Sequence, residues 1–344
     1  MIRKNPRKIQ IRRTNTKYKM KRRSDERRLD YRNHTMIEFN SLQHYQPHEN
    51  GAHVALGFFD GVHLGHRAVI GGCADNSGNL PCVVLTFHES PAKSLGKNTP
   101  AMLSDNRRKA ELMAKIGADE VIFADFAQIK DESPQEFVQG VLRDKLNAKK
   151  VYCGFNYRFG KNGRGDTETL RTLCGDLGIE VEVVEPVSVG GEQVSSSVIR
   201  EFISGGKIEQ ANEMLGYRFA VGGDIGTGNH FGTAMGFPTV NIPLTDGITA
   251  PRFGVYASII TVDGTAYRGA TNIGVHPTVG ANEKPLCETF LLDFPGGDLY
   301  GKRAVCELAA FIREEKRFGS AEELTEQVKK DCDTILSMSF YTNP

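Results

Sequence analysis

Two histidines, His63 and His66, stand where a short apolar strand, Val54–Leu56, and a glycine turn lead into a predicted helix. Because residues three apart on a helical turn share a face, both imidazoles lie on one side. Glycines let the backbone approach a ligand closely, and imidazole donors beside free N–H groups suit a phosphate. The segment predicts a phosphate site. A strand–turn–helix connection whose histidines lie on the surface or bind a metal is the alternative.

A run of three serines, Ser195, Ser196 and Ser197, ends an irregular stretch and begins a second predicted helix. Serines at a helix start present hydroxyls and unpaired N–H groups together. Arg200, one turn further on, adds a planar guanidinium suited to phosphate oxygens. The run predicts a second phosphate contact; an ordinary serine N-cap followed by a solvated arginine is the alternative.

The loop after the predicted strand Lys150–Cys153 combines three further side chains. An amide, an aromatic ring and a guanidinium follow one another at Asn156, Tyr157 and Arg158. Aromatic rings with arginine suit a planar ligand that carries a phosphate. A loop that only packs on itself is the alternative.

A glycine-rich segment precedes Thr239 and Asn241 in the second half of the chain. Its N–H groups can face phosphates, while Thr239 and Asn241 point the same way in an extended chain and offer oxygens suited to Mg²⁺. The segment matches neither the Walker nor the Rossmann fingerprint, and a glycine-rich β-turn is the alternative. The glycines are Gly226, Gly228, Gly232 and Gly236.

From about residue 50 to 215, apolar runs alternate with stretches of helical spacing. The capping box Ser133–Glu136 begins one helix, and Ser104 and Gly117 bound another. This alternation predicts a parallel sheet covered by helices, with ligands at the carboxyl ends of the strands. The predicted strands are Val54–Leu56, Cys82–Phe87, Val121–Phe123, Lys150–Cys153 and Glu180–Val184.

From about residue 217 to 312, short β-rich runs are separated by turn residues, and Asp263-Gly264 predicts a tight hairpin. This pattern predicts an antiparallel barrel or sandwich. A final helix begins at the capping box Ser320–Glu323, and we expect the domain boundary near Gly216. The predicted strands are Phe253–Val262, Ala266–Ile273, Leu286–Phe294 and Arg303–Ile312.

The net charge of +1 conceals a basic leader: residues 1–35 hold 14 Lys and Arg against 3 Asp and Glu. We expect the leader to be disordered. A true translation start at Met36 is one explanation. The others are a functional basic tail that contacts nucleic acid or an acidic membrane surface, and a targeting segment. Seven scattered cysteines without a CxxC pair favour a reducing cytoplasm, and no apolar run is long enough to span a membrane.

Over roughly residues 36–340 the sequence resembles bacterial bifunctional riboflavin kinase/FAD synthetases. The motifs GFFDGVHLGH, GFNYRFG and SSSVIR occur in the order of that family's adenylyltransferase half, and the glycine-rich segment resembles its riboflavin kinase motif. The resemblance implies an α/β nucleotidyltransferase-type (Rossmann-like) domain over 36–216. It implies a small antiparallel β-barrel kinase domain with a C-terminal helix over 217–340.

The resemblance also implies two activities in sequence. Riboflavin is phosphorylated by ATP to FMN, and FMN then attacks the α-phosphorus of ATP to give FAD and pyrophosphate. The residues it assigns to ATP in the second reaction are Gly57, Phe58, Asp60, Gly61, His63, His66, Ser195, Ser196, Ser197 and Arg200. Those it assigns to the flavin there are Asn156, Tyr157 and Arg158.

In the kinase half, the resemblance makes Glu288 the general base for the ribityl hydroxyl, while Thr239 and Asn241 hold Mg²⁺ with ATP. It places Asn272 and Arg313 near the flavin. The implied ATP loop contains Gly226, Gly228, Gly232 and Gly236. The expected partners are these small molecules; we expect no membrane or nucleic-acid partner, and the sequence favours no particular oligomeric state.

The sequence departs from the family pattern on the flavin side. Asn156 stands where the family usually has aspartate, and His88–Ser90 replaces most of the family's TF-acid-PHP stretch. A kinase with weakened adenylyltransferase activity is therefore an alternative. A nucleic-acid-associated protein is disfavoured because the chain after the leader is acidic, and a metal hydrolase lacks a third ligand beside His63 and His66.

Overall fold

A parallel sheet organises the first half of the chain in this computed structural model, which describes residues 26–31, 34–96, 98–226, 239–275, 285–292, 294–297 and 299–339. The strand order is β1-β2-β5-β4-β3-β6-β7, and all pairs are parallel except β1 with β2. The strands are β1 (Glu26–Tyr31), β2 (His34–Phe39), β3 (Ala52–Leu56), β4 (Cys82–Phe87), β5 (Glu120–Ala124), β6 (Ala148–Gly154) and β7 (Glu180–Val184).

Helices cover both faces of this sheet. The predicted capping box is confirmed, since Ser133 accepts from the Glu136 N–H and the Glu136 carboxylate accepts from the Ser133 N–H. Gly117 closes α3 in the left-handed conformation, but Asp105 rather than Ser104 caps its start. The helices are α1 (Leu64–Asn76), α2 (Pro91–Ser94), α3 (Asn106–Ile116), α4 (Pro134–Glu136), α5 (Thr167–Gly175), α6 (Ser196–Ser204) and α7 (Ile208–Leu215).

Shorter elements complete this half. The chain continues from α4 as a π-helix over Phe137–Lys145, and a small hairpin pairs β8 (Ser188–Val189) with β9 (Glu192–Gln193). The 3₁₀ turns are Leu42–His44, Phe126–Gln128 and Lys161–Gly163.

The leader differs in part from the expectation of disorder. Residues Glu26–Tyr31 form β1 and pair antiparallel with β2, which itself begins at His34. The rest of the leader up to residue 25 lies outside the described residues. Regular structure therefore begins before Met36.

The second half is a nearly closed antiparallel barrel with strand order β10-β15-β12-β13-β14-β11. Asp263 and Gly264 form the predicted hairpin turn, both with positive φ, and a bridge between Gly226 and Asn241 joins the two edge strands. The elements are β10 (Ala220–Asp224), β11 (Thr239–Pro243), β12 (Gly254–Val262), β13 (Thr265–Gly274), β14 (Leu286–Leu291), β15 (Arg303–Glu314) and α8 (Ala321–Ser337).

The apolar cores show how the halves join. One cluster lies on each face of the parallel sheet. A third cluster fills the barrel and includes Ile199 and Ile203 of α6, Leu215 of α7, and Leu103 from the first half. Because burial of apolar area stabilises contacts in proportion to that area, α6 and α7 fasten the barrel to the parallel sheet. No helix within the described ranges is long and apolar enough to cross a membrane.

Candidate functional sites

The strand order of the parallel sheet reverses at β3, which pairs with β4 on one side and with β6 on the other. The loops that follow these two neighbouring strands diverge from each other. Open α/β sheets bind ligands in the crevice between such loops. A cavity of about 590 Å³ lies there, between the turn after β3, the loop after β6 and the start of α6. This volume is in the range of small-molecule sites.

Most of the residues predicted for this site line the cavity. Gly61 and Ser197 are not among the lining residues: Gly61 is a buried residue of the turn itself, and Ser197 is exposed. The predicted residues that line it are Gly57, Phe58, Asp60, His63, His66, Asn156, Tyr157, Arg158, Ser195, Ser196 and Arg200. The fold thus brings three segments of sequence together around one space.

The two histidines stack at the start of α1. Their ring centroids are 3.5 Å apart with an interplanar angle of 18°, and Phe59 packs edge-on against His66. His63 is the N-cap residue, and its Nδ1 accepts from the His66 N–H at 3.4 Å. Since Nδ1 is the acceptor, a neutral His63 carries its proton on Nε2.

Both histidines are neutral near pH 7. Burial lowers the pKa of His63 to about 4, and Arg200 adds to that shift. Burial also lowers the pKa of His66 well below its usual value, with His63 and Lys109 contributing. The Nδ1 atom of His66 is buried without a hydrogen-bond partner among the described residues. The pair therefore offers directed polar atoms rather than positive charge.

The turn between β3 and α1 has a strained backbone. Phe59 and Val62 have φ of 54° and 39°, values that side chains disfavour and that are outliers for a β-branched residue such as Val62. Such strain persists where neighbouring groups over-determine the conformation. Here, side chains from other elements bind the carbonyl oxygens of Phe58, Asp60 and Gly61.

A side-chain hydroxyl donates a hydrogen bond to each of these carbonyls. Thr86 Oγ1 donates to the Phe58 carbonyl at 2.8 Å, and Ser196 Oγ donates to the Asp60 carbonyl at 3.1 Å. Tyr217, which lies between α7 and the barrel, donates its hydroxyl to the Gly61 carbonyl at 2.5 Å. Side chains from three separate parts of the fold thus hold the turn.

Asp60 is the buried carboxylate of the site and is 2% exposed. Its oxygens accept from the Leu103 N–H at 2.8 Å and from Arg200 at 2.5 Å. Burial raises the pKa of Asp60, and these two donors oppose the shift. Arg200 also donates to the Ala101 carbonyl at 2.7 Å, so the pair fixes the start of α6 against the turn.

Lys109 in α3 was not among the residues predicted for this site. Its side chain is fully buried, and Nζ donates to the carbonyls of Phe58 and Phe87 at 2.9 and 3.1 Å. A signal was present, because Lys109 stands at helical spacing from Leu112 and Met113 on the buried face. A lysine on an apolar helix face indicates a buried partner.

The flavin-side candidates are less enclosed. Asn156 and Arg158 are exposed, and Arg158 lies 3.6 Å from the Asp166 carboxylate. Tyr157 stacks on Phe159 with ring centroids 5.9 Å apart, and burial raises the pKa of its hydroxyl. All three predicted residues lie on the β6 side of the cavity.

The kinase candidates form one row across the barrel. Glu288 on β14 is directly opposite Asn241 on β11 and Asn272 on β13. Asn272 is opposite Val255, which is opposite Arg313 on β15. Because directly opposed residues project to the same face, strand register alone brings these side chains together.

This row lies on the outer face of the barrel, beside α8. Two residues from Glu288, Phe290 packs with Ala257 and Ala270 against Val328 and Ile335 of α8. Thr239 is opposite Phe290 and so shares that face. Gly226 donates its N–H to the Asn241 carbonyl at 2.9 Å, while Gly228, Gly232 and Gly236 lie outside the described residues.

Arg313 has a firm partner in α8. Its Nε and one terminal nitrogen donate to the two Asp331 oxygens, with the shortest contact at 2.7 Å. Asp331 is 5% exposed and also accepts from Gln327. The ion pair therefore ties the last strand to the last helix at the end of the row.

A cavity at the switch point of a parallel sheet, facing a helix start, defines a nucleotide-binding α/β domain. The FAD synthetase family model matches residues 45–198, and the riboflavin kinase family model matches residues 215–339. The chain belongs to the bifunctional riboflavin kinase/FMN adenylyltransferase family, and it carries both domains of that family.

Two relatives carry the name of this family, and a solved structure with a different description shares the fold. A bifunctional riboflavin kinase/FMN adenylyltransferase of Listeria monocytogenes is 36% identical over 81% of this chain and 89% of its own length. The Escherichia coli K12 protein of the same name is 32% identical over 87% and 96%. A Streptococcus pneumoniae structure described as a macrolide-efflux protein superposes with a TM-score of 0.79 and 28% identity, covering 88% of this chain and 99% of its own.

Proposed function

We propose that the cavity between β3, β6 and α6 binds ATP and FMN and joins them into FAD. The observation that carries this assignment is the stacked, neutral His63–His66 pair, which faces the start of α6 across one cavity. The triphosphate lies along the turn 57–63 and meets Ser195, Ser196 and Arg200. The flavin lies toward Asn156, Tyr157 and Arg158.

In the adenylyl transfer, an oxygen of the FMN phosphate attacks the α-phosphorus of ATP. A new P–O bond forms as the bond to the bridging oxygen breaks, and pyrophosphate leaves. No covalent enzyme intermediate is required, so positioning and stabilisation of charge do the catalysis. His63 donates from Nε2, and Arg200 and the α6 N–H groups receive the departing phosphates.

We propose that the row on the barrel is the riboflavin kinase site. The Glu288 carboxylate takes the proton of the ribityl hydroxyl, and the resulting oxygen attacks the γ-phosphorus of ATP. The bond from that phosphorus to the β–γ bridging oxygen breaks, and ADP leaves. Asn272 and Arg313 lie on the flavin side, and Gly226, whose N–H donates to the Asn241 carbonyl, lies on the ATP side.

The donor set next to Glu288 fits Mg²⁺. Within the described part of the chain no three His, Cys, Asp or Glu residues are grouped to hold a metal ion. Thr239 and Asn241 share a face, and Asn241 is opposite Glu288. Their oxygens are hard ligands of the kind Mg²⁺ prefers, and bound Mg²⁺ would neutralise phosphate charge.

We further propose a division into 36–216 for adenylyl transfer and 217–340 for the kinase, and a location in the cytoplasm. The FAD synthetase model, 45–198, falls inside the first range, and the riboflavin kinase model, 215–339, begins two residues before the second. Seven buried, free cysteines support a reducing compartment.

A product assay tests the two activities. Purified full-length protein is incubated with ATP, Mg²⁺ and riboflavin, and FMN and FAD are quantified by chromatography. We expect FMN to appear first and FAD to follow. FMN that accumulates without FAD would contradict the adenylyltransferase assignment, and a parallel incubation with supplied FMN shows whether the second step alone fails.

A further inference from the structure

Lys109 is a fully buried cation that the proposed chemistry does not use. It projects from α3 to the carboxyl ends of β3 and β4, where Nζ binds the Phe58 and Phe87 carbonyls at 2.9 and 3.1 Å. Its ammonium lies 4.6 Å from the Phe58 ring centroid and 5.4 Å from that of Phe123. The side chain therefore reaches the back of the strained turn that lines the cavity.

Burial of an ammonium is costly, because its hydration is lost. Burial lowers the pKa of Lys109 to about 7, and only Asp60 opposes that shift. An apolar side chain of similar length would fill the same space without this cost. It would also remove a donor from two buried carbonyls, so the lysine is suited to holding the backbone rather than to filling the core.

The contact with Phe58 sets the direction of the next peptide group. In a trans peptide the N–H points opposite to the carbonyl, so the Phe59 N–H points away from Lys109. Phe59 has positive φ, a conformation that needs support from its surroundings. Thr86 donates to the same Phe58 carbonyl, so two side chains hold this peptide plane.

We propose that Lys109 is a positioning residue for adenylyl transfer. It fixes the Phe58–Phe59 peptide so that its N–H serves the triphosphate, and it places a positive charge beneath the phosphates. The inference rests on the proposed adenylyltransferase site. Two titratable groups face Lys109 from neighbouring elements, Asp60 in the turn and His66 in α1.

The test compares Lys109→Met with Lys109→Arg and a control, Lys115→Met, on the exposed side of the same helix. We expect Lys109→Met to raise the KM for ATP in FAD formation about tenfold, because a charge-assisted hydrogen bond and a nearby charge are lost. Riboflavin phosphorylation by the same chain should be unchanged in all three variants. Lys115→Met should match the wild type in both reactions.

A pH profile separates positioning by charge from simple structural support. In the wild type, kcat/KM for FAD formation should fall as Lys109 deprotonates above about pH 7. Lys109→Met should not show this decrease in kcat/KM above pH 7. Lys109→Arg should keep a low KM and should also lack the decrease, because arginine does not titrate in this range. An unchanged KM and an unchanged profile in Lys109→Met would overturn the proposal, as would an equal loss of both activities.

Thr86→Val keeps the proposal testable if Lys109→Met does not fold. That change removes the other hydrogen bond to the Phe58 carbonyl at nearly constant volume, and it should raise the KM for ATP about threefold. No change in that KM would overturn the proposal. Absence of FAD formation by the wild type would instead contradict the proposed function itself.

Discussion

The two candidate sites of this chain are built in different ways. The cavity at the switch point collects loops that are far apart in sequence, and it depends on a turn with two strained residues, Phe59 and Val62. The row on the barrel lies on neighbouring strands, where register places Asn241, Glu288 and Asn272 side by side. The geometry of the cavity depends on side chains that bind the turn, whereas the geometry of the row depends on backbone hydrogen bonds between strands.

This difference has a consequence for mutations. At the cavity, residues outside the lining, such as Thr86 and Tyr217, still hold the backbone of the turn that lines it. On the barrel, backbone hydrogen bonds between strands set the register of the row, so its geometry depends less on side chains away from it. FAD formation should therefore be sensitive to substitutions well outside the cavity, whereas riboflavin phosphorylation should be sensitive mainly to substitutions in the row.

Glu288→Gln should have the largest effect on one activity relative to the other. The change keeps the shape of the side chain but removes the base, so riboflavin phosphorylation should fall about a thousandfold. FAD formation from supplied FMN should be unaffected, since Glu288 is on the barrel. Chromatography of both products from one preparation provides the control, and a loss of both activities would refute the two-site assignment.

His66→Ala is the reciprocal change in the cavity. FAD formation should fall about a hundredfold, because a preorganised polar group beside the triphosphate is lost. Riboflavin phosphorylation, measured in the same tube, should stay within the error of the wild type. Normal FAD formation by a folded His66→Ala protein would exclude the histidine pair from the chemistry.

The predictable parts of the fold came from local signals. Cys82–Phe87 and Glu180–Val184 are strands with the predicted bounds, because short runs rich in β-branched residues between turn signals favour strands. The capping box at Ser133 and the N-cap residue Ser320 also begin helices as predicted. Each of these signals is contained within a few residues.

The unpredicted parts depend on contacts between distant residues. The π-helix Phe137–Lys145 and the strand β2 have no distinctive local pattern. The Asp60–Arg200 pair joins residues 140 positions apart, and the Tyr217 contact joins residues 156 apart. The motifs located the cavity, whereas the groups that hold its turn became visible only in three dimensions.

The pH dependence of the free energy of unfolding tests whether His63 in the cavity is buried in its neutral form. The folded pKa of His63 is about 4, below its unfolded value, so only the unfolded state binds a proton between about pH 6.5 and 4. The free energy of unfolding of the α/β domain should therefore fall by up to about 3 kcal/mol over that range. Denaturant unfolding of His63→Gln should show a shallower pH dependence, and an equal slope would contradict a buried neutral His63.

Tyr217→Phe tests whether the second half of the chain supports the first site. The hydroxyl that binds the Gly61 carbonyl is lost while the ring is kept, so FAD formation should slow about fivefold. Tyr267→Phe is a matched control, because Tyr267 packs on Phe294 in the barrel. Equal effects of the two changes on FAD formation would argue against a role for Tyr217 in the turn.

Asn156→Asp should have the smallest effect, since the side chain is exposed and its charge is screened by solvent. A carboxylate accepts stronger hydrogen bonds from the N–H groups of a planar ligand than an amide does, so the KM for FMN in FAD formation should fall about threefold. Asn162→Asp adds the same charge in the same loop outside the cavity lining and should leave that KM unchanged. A rise in KM in Asn156→Asp alone would mean that this position faces the FMN phosphate rather than the ring, because two negative groups would then repel each other.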